Sequence, residues 1–343
     1  MTDLDKLVRP NVINLSPYSC ARNDYKGKEG IFLDANENPF GALNRYPDPY
    51  QDELKKAVSR IKNIPEERIF LGNGSDEIID LCFRIFCTPG KDKALTFSPS
   101  YGMYNVSAAL NDIELITLPL DENYQINLKQ VTSQLEEKNL KLILICSPNN
   151  PTGNCMERET LEEIISRFRG IVLVDEAYID FANVPSVKGS LDKYPNLIVM
   201  QTFSKAYGMA SVRVGIAFAS PEITGYFNKV KPPYNISTVN QKTILRRIAN
   251  KSYLTGQVRK IRYERKRLTE ELRKLQLVKK IWPSDANFLL VEVEDADSTY
   301  NHLADKKIIV RNRNSVAKNC LRITVGTKKE NDILLNALKS IER

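Results

Sequence analysis

Short apolar runs alternate with helix-spaced segments through the first two-thirds of the chain. The runs Ile69–Leu71, Ala94–Phe97, Ile113–Leu118, Leu142–Cys146, Ile171–Val174, Leu197–Gln201 and Gly215–Ala219 are almost continuous in apolar residues. A strand covered on both faces reads this way, whereas a strand with one wet face alternates. Between the runs lie segments of helical spacing such as Ser75–Phe86 and Thr160–Arg169. Strand, helix, strand in regular succession predicts an α/β fold: a mostly parallel seven-stranded sheet sandwiched by crossover helices.

The pattern changes after Pro232 and Pro233. Leu254, Val258, Ile261, Leu268, Leu272 and Leu275 recur at steps of three and four, with Arg265 filling the one polar gap. That spacing predicts an amphipathic helix. Phe288–Val293, Ile308–Arg311 and Leu321–Val325 then read as strands of a smaller α+β domain. The expected division is an N-terminal segment, 1–38, that joins the small domain, a large domain over 39–232, and a linking helix with the small domain over 233–343.

At 343 residues the chain exceeds what one core normally organises. Six cysteines (Cys20, Cys82, Cys87, Cys146, Cys155 and Cys320) form no CxxC pair and sit mostly in apolar runs. They read as reduced buried thiols, which suits a cytoplasmic location. The single histidine, His302, argues against a histidine-based metal site or a Ser-His-Asp triad. No apolar run is long enough for a membrane span. The net charge of +8 admits three readings: nucleic-acid binding, a solvated helix face over Arg259–Lys280, or arginines that hold an anionic substrate. The solvated face is favoured, and no nucleic-acid or membrane partner is expected.

The chemistry falls where the strands end, which is where open α/β sheets bind ligands. After Ile69–Leu71 comes Gly72-Asn73-Gly74-Ser75-Asp76 and then a helix, whose first N–H groups and dipole suit a phosphate. After Leu142–Cys146 comes the proline-stiffened loop Ser147-Pro148-Asn149-Asn150-Pro151-Thr152-Gly153. Asp175 follows Ile171–Val174, with Tyr178 three residues on. A carboxylate so placed wants a cation, and a protonated pyridine nitrogen would serve. Thr202-Phe203-Ser204-Lys205 follows Leu197–Gln201, and desolvation there would lower the lysine pKa and make its amine a nucleophile. Arg213, eight residues later, can fork onto a phosphate. Taken singly, each feature has a bland explanation as a cap, a turn or a solvated charge. Their occurrence in this order, each after an apolar run, does not.

These motifs, together with Leu33-Asp34-Ala35-Asn36-Glu37-Asn38-Pro39, Asn44-Arg45-Tyr46-Pro47, Val212-Arg213-Val214-Gly215 and Cys320-Leu321-Arg322-Ile323-Thr324-Val325-Gly326-Thr327, resemble those of the fold type I pyridoxal-phosphate aminotransferases. Within that group the chain resembles the histidinol-phosphate aminotransferases over nearly its whole length. The resemblance implies that Lys205 carries pyridoxal 5′-phosphate as a Schiff base and then shuttles the proton. It implies that Asp175 holds the ring nitrogen charged, that Asn150 and Tyr178 bond the ring oxygen, and that Tyr101 stacks on the ring. Gly74, Ser75, Asp76, Thr202, Ser204 and Arg213 would surround the cofactor phosphate. Tyr46 would reach the neighbouring subunit's site in a homodimer. Tyr18, Asn36, Tyr101, Asn150, Arg311 and Arg322 would meet the substrate, the two arginines at its phosphate. The implied reaction converts L-histidinol phosphate and 2-oxoglutarate to imidazole-acetol phosphate and glutamate. An aromatic amino acid aminotransferase, a threonine-phosphate decarboxylase, or a catalytically silent regulatory protein of the same fold are the alternatives. The stretch Arg311 to Arg322 is short for the family.

Overall fold

The computed structural model describes residues 4–19 and 30–341. A seven-stranded sheet runs in the order β1-β7-β6-β5-β4-β2-β3. Its strands are β1 (Ile69–Gly72), β2 (Lys93–Ser98), β3 (Glu114–Pro119), β4 (Leu140–Cys146), β5 (Ile171–Asp175), β6 (Leu197–Thr202) and β7 (Gly215–Phe218). Only β7 runs against its neighbours. All seven runs predicted from apolar continuity are strands. In β4 the reason is visible residue by residue. Leu142, Leu144 and Cys146 enter the core on one face, while Ile143 and Ile145 enter the core on the other.

The helix Ser75–Phe86 has the bounds expected of it, and Arg158–Arg167 starts and ends two residues early. The C-terminal lobe carries a four-stranded antiparallel sheet in the order β10-β11-β9-β8, from β8 (Val278–Ile281), β9 (Phe288–Val293), β10 (Arg311–Asn312) and β11 (Cys320–Thr324). Two details differ from the sequence reading. Strand β8, Val-Lys-Lys-Ile, was not foreseen because an edge strand needs little apolar continuity. The strand expected at Ile308–Arg311 forms ladder bonds only from Arg311 onward. Ile308 instead closes the preceding helix, its N–H donating to Leu303 O at 2.8 Å, and packs on the small core.

The helix Lys251–Leu272 explains its own polar gap. Leu254, Val258 and Ile261 pack on the large-lobe core, and Leu268, Leu272 and Leu275 belong to the small-lobe core. Arg265 lies where the helix passes from one core to the other, and Nη1 donates to Ala286 O at 2.5 Å. The basic stretch is otherwise the solvated face expected of it, with Arg259, Lys260, Lys266, Arg273 and Lys274 exposed, but two more of its members are structural. Arg262 donates to the carbonyls of Phe181 and Ala182, and Arg267 pairs with Glu264 and Asp332. The expected joining of the N-terminal segment to the small domain is corrected for residues 4–13. Val8 and Val12 bury against Phe70, Phe83 and Phe86 of the large lobe, and Arg9 N–H bonds Ile85 O. Apolar side chains of this first turn go to the nearest large hydrophobic face.

His302 bonds Ala337 O and Ser340 Oγ between two small-lobe helices. No helix among the described residues is long and apolar enough to cross a membrane. Cys20 lies outside the described residues, and the other five cysteines are free thiols.

Arg262 ties the long helix to two large-lobe carbonyls. Replacing it with methionine should lower the urea-unfolding free energy by about 1.5–3 kcal/mol, the range for hydrogen bonds that involve a charged group. An unchanged unfolding midpoint would contradict that role.

Candidate active site

Because β1, β4, β5 and β6 are mutually parallel and β7 returns antiparallel, their functional ends meet at one sheet edge. Gly72 and Thr202 both pair with Gly215, and Cys146 pairs with Asp175. The cleft above this edge has a volume of about 230 Å³. It is lined by Ser75, Asp76, Tyr101, Asn150, Asp175, Tyr178, Thr202, Ser204, Lys205, Arg213 and, from the small lobe, Arg322, together with Cys146, Ala177 and Ala210. The sequence motifs thus come together from six strand ends.

One wall is an anion cradle. The helix Ser75–Phe86 begins at Gly74, φ 83°, with no side chain capping its first turn. A Cβ on Gly74 would stand 2.6 Å from Arg213 Nη2, and one on Gly215 would stand 2.6 Å from Ser75 N. Both glycines let backbone approach where a side chain would block. Arg213 adopts left-handed backbone, φ 53°, and its guanidinium also meets Asp76 at 3.5 Å. Open helix N–H groups beside a guanidinium and the Thr202 and Ser204 hydroxyls form a phosphate-sized donor set.

Asp175 forms the floor. It is 3% exposed. The Ala177 N–H donates to Oδ1 at 3.0 Å and the Tyr104 hydroxyl donates to Oδ2 at 3.0 Å. Burial pushes its pKa up to about 6, against the pull of those two donors. Tyr104, fully buried on the helix Met103–Leu110, is the residue sequence reasoning missed. Its only signal was its place three residues after Tyr101, against whose ring it packs edge-on at 5.6 Å.

Lys205 follows β6 and has its pKa lowered, first by desolvation and then by the Arg322 and Arg213 charges. Its ammonium lies 5.6 Å from the Tyr178 ring centre. Asn150 bridges the lobes: its amide N–H reaches the Tyr178 hydroxyl at 3.5 Å, and its Oδ1 accepts from Arg322 Nη1. Asn149, its neighbour, is consumed inside the loop by Pro99 O, Thr152 and Ser100. Gly153, φ 89°, is needed because a Cβ there would stand 2.6 Å from Ser284 Oγ of the small lobe. Burial pushes Tyr178 upward, so its phenol stays protonated.

Four expected site residues lie outside this cleft. Tyr18 is 70% exposed and Asn36 is exposed. Arg311 is exposed and pairs across the ladder with Arg322. Tyr46 stacks on Tyr234 with ring centres 4.5 Å apart. The two N-terminal motifs form one unit, since buried Glu37 accepts from Arg45 Nη1 at 2.7 Å and from Tyr46 N–H at 2.6 Å.

The chain matches the family "Aminotransferase class I and II" over residues 12–338 and belongs to it. Among curated proteins, it is 50% identical to the histidinol-phosphate aminotransferase of Parabacteroides distasonis over 100% of both chains. It is 48% identical to that of Cytophaga hutchinsonii over 98% of this chain and 99% of the relative. The crystal structure of the histidinol-phosphate aminotransferase from Clostridium acetobutylicum superposes with a TM-score of 0.81 at 26% identity, covering 88% of this chain and 91% of that one. The enzyme from Sinorhizobium meliloti, solved with pyridoxal-5′-phosphate, shares the fold with a TM-score of 0.80 at 24% identity, over 90% of each chain.

In the cofactor-free protein, unfolded chains ionise Asp175 near pH 4, while the folded chain keeps its proton to about pH 6. Folding is therefore penalised progressively between those values, and the penalty persists above them. Asp175→Asn removes it. The unfolding free energy of the variant relative to the parent should rise from pH 4 to pH 7. A pH-independent difference in urea titrations would refute this.

Proposed function

We propose that this chain is a pyridoxal-phosphate-dependent enzyme that transaminates L-histidinol phosphate with 2-oxoglutarate, giving imidazole-acetol phosphate and glutamate. The observation that carries the reading is the cleft's donor set: a lysine of lowered pKa, a buried carboxylate awaiting a cation and an open helix N-terminus, at one sheet edge in a chain so similar to named histidinol-phosphate aminotransferases.

The residues fit the cofactor. The uncapped turn at Gly74 and Ser75, with Thr202, Ser204 and Arg213, suits its phosphate. Asp175 presents a carboxylate whose present partners are both donors, leaving lone pairs for a ring N–H. Asn150 and Tyr178 offer donors for the ring oxygen, and Tyr101 supplies a flat face. When bound, pyridoxal phosphate supplies an aldehyde for amines and a pyridinium ring that accepts the electron pair released at the substrate Cα.

Lys205 would hold the cofactor covalently through its Nζ. When free, its Nζ is the group that would accept the proton from the substrate Cα and hand it on. Desolvation and the Arg322 and Arg213 charges favour the neutral amine this needs. Asp175 keeps the ring nitrogen protonated, and the cation in turn stabilises the carboxylate that burial disfavours. Arg322, braced by Asn150 and lying over the Phe288 ring, holds the far anionic end of either substrate together with Arg311. Tyr18 and Asn36 would meet the substrate only as the family resemblance implies.

The working form is a homodimer. Ile31, Leu33, Phe40 and Leu43 are each at least 75% exposed on the segment that Glu37 ties to Tyr46. So much bared apolar surface suits burial by a second copy, which brings Tyr46 to the partner's cleft. The free thiols suit a cytoplasmic enzyme.

Borohydride reduction of the purified yellow protein followed by peptide mapping should find the cofactor on Lys205 alone, and Lys205→Ala should lose at least about 1000-fold in kcat. Label on another lysine would overturn the assignment. Histidinol phosphate should exceed phenylalanine in kcat/KM, with no carbon dioxide released from phosphothreonine; the reverse order would replace the substrate reading. Phe40→Asp should shift light-scattering mass from dimer toward monomer, and an unaltered mass would argue against this interface.

A further inference from the structure

Arg313 was singled out by no motif, yet it lies beside both substrate arginines. Arg311 pairs with Arg322 in the β10–β11 ladder. The ladder continues one step further, because the Arg313 N–H donates to Cys320 O at 2.9 Å. Residues opposed across strands, and residues two apart along one, share a face. Arg311, Arg313, Cys320 and Arg322 therefore lie on the same face of the small sheet.

Contacts identify that face. Arg322 reaches Asn150 of the large lobe, and Cys320 packs with Leu290 and Ala317 against Tyr124 and Trp282. Leu321 and Ile323, on the opposite face, enter the small-lobe core. The three arginines thus stand on the side turned toward the large lobe.

Among the described residues no carboxylate compensates their charges. Arg313 is partly buried, and its Nε is fully buried with no hydrogen-bond partner. The charges bearing on it are the cations Arg322 and Arg311. The nearest carboxylate on that face in the register is Glu292, on the far side of Cys320, and it sits opposite Lys280. Arg322 also keeps a buried Nε without a partner. Half-buried guanidinium groups brought together without an anion are costly. One carboxylate would leave the cluster strongly positive, whereas a phosphate monoester brings nearly two charges and three acceptor oxygens for planar forks.

We propose that Arg313 is a specificity-determining residue that completes, with Arg311 and Arg322, a three-arginine site for the phosphate monoester end of the amine substrate. The inference rests on the transaminase reading of the cleft and deepens it. Arg313 is what separates a phosphorylated substrate from glutamate, whose far end carries a single charge.

The test uses the cofactor-loaded enzyme and two variants, Arg313→Gln and Arg313→Lys. In Arg313→Gln, kcat/KM for histidinol phosphate should fall about 10- to 100-fold, the scale of one or two charge-assisted hydrogen bonds, chiefly through KM. The glutamate half-reaction should change less than about threefold. Competitive inhibition by inorganic phosphate should weaken in parallel with histidinol phosphate, and Arg313→Lys should recover part of each loss. Equal losses on both substrates, with a lowered melting temperature, would make Arg313 merely structural and overturn the proposal; so would unaltered kinetics on histidinol phosphate. A parent enzyme that transaminates glutamate but ignores histidinol phosphate would fail the substrate reading instead. The inorganic phosphate titration would then decide the arginine site: binding lost in Arg313→Gln supports it, and binding unchanged overturns it.

Discussion

A carboxylate buried at the end of β5, hydrogen-bonded only by donors of neutral groups, is the constraint on which this cleft is built. Asp175 sits on the middle strand of a sheet covered on both faces, so water cannot stabilise its charge. The Tyr104 hydroxyl and the Ala177 N–H offset part of the penalty and fix the direction in which the carboxylate points. The same enclosure acts on Lys205 with the opposite sign, and the arginines beyond it add to the effect. Each group is driven toward its neutral form, and in the proposed reading each would be relieved by the cofactor: a ring cation for one, a carbonyl carbon for the other. The site carries its destabilisation in advance and recovers it on binding, which is how a fold can prepare both an acid and an amine at neutral pH.

The second feature is the way two cores share one helix. Lys251–Leu272 rises about 33 Å, long enough to lie on the large-lobe core with its first half and the small-lobe core with its second. Arg265 marks the crossing. The cleft inherits this arrangement, because Asn150 comes from the large lobe and Arg322 from the small. Cofactor chemistry can be held by one sheet edge alone. In the proposed reading the far end of the substrate is gripped at the junction, where Arg311, Arg313 and Arg322 share one face of the second sheet.

How much of this was legible in advance follows from the range of each interaction. The seven strands were readable because burial on both faces leaves a local mark, an unbroken apolar run. The meeting of Lys205, Asp175, Asn150 and Arg213 was readable because the first three closely follow such runs and Arg213 stands just before another, and the sheet brings those points to one edge. Tyr104 was not, because it looks like any aromatic on a buried helix face until Asp175 is placed beside it. Strand β8 was not, because an edge strand made of Val-Lys-Lys-Ile lacks the mark. The basic stretch after Arg259 is a solvated face at Arg259, Lys260, Lys266, Arg273 and Lys274, as its charge suggested, and only the carbonyls of Phe181, Ala182 and Ala286 revealed that Arg262 and Arg265 are structural exceptions.

The amino-acid sequence by itself determined the strand and helix succession, the edge at which the chemistry collects, and the residue types available there, since all of these depend on near neighbours along the chain. Only the tertiary structure decided which donors hold Asp175, where the N-terminal turn seats, and which arginines share a face. Those are matters of partners such as Arg322 and Asn150, separated by 172 residues, whose meeting is set by how sheets and helices pack and by no local pattern.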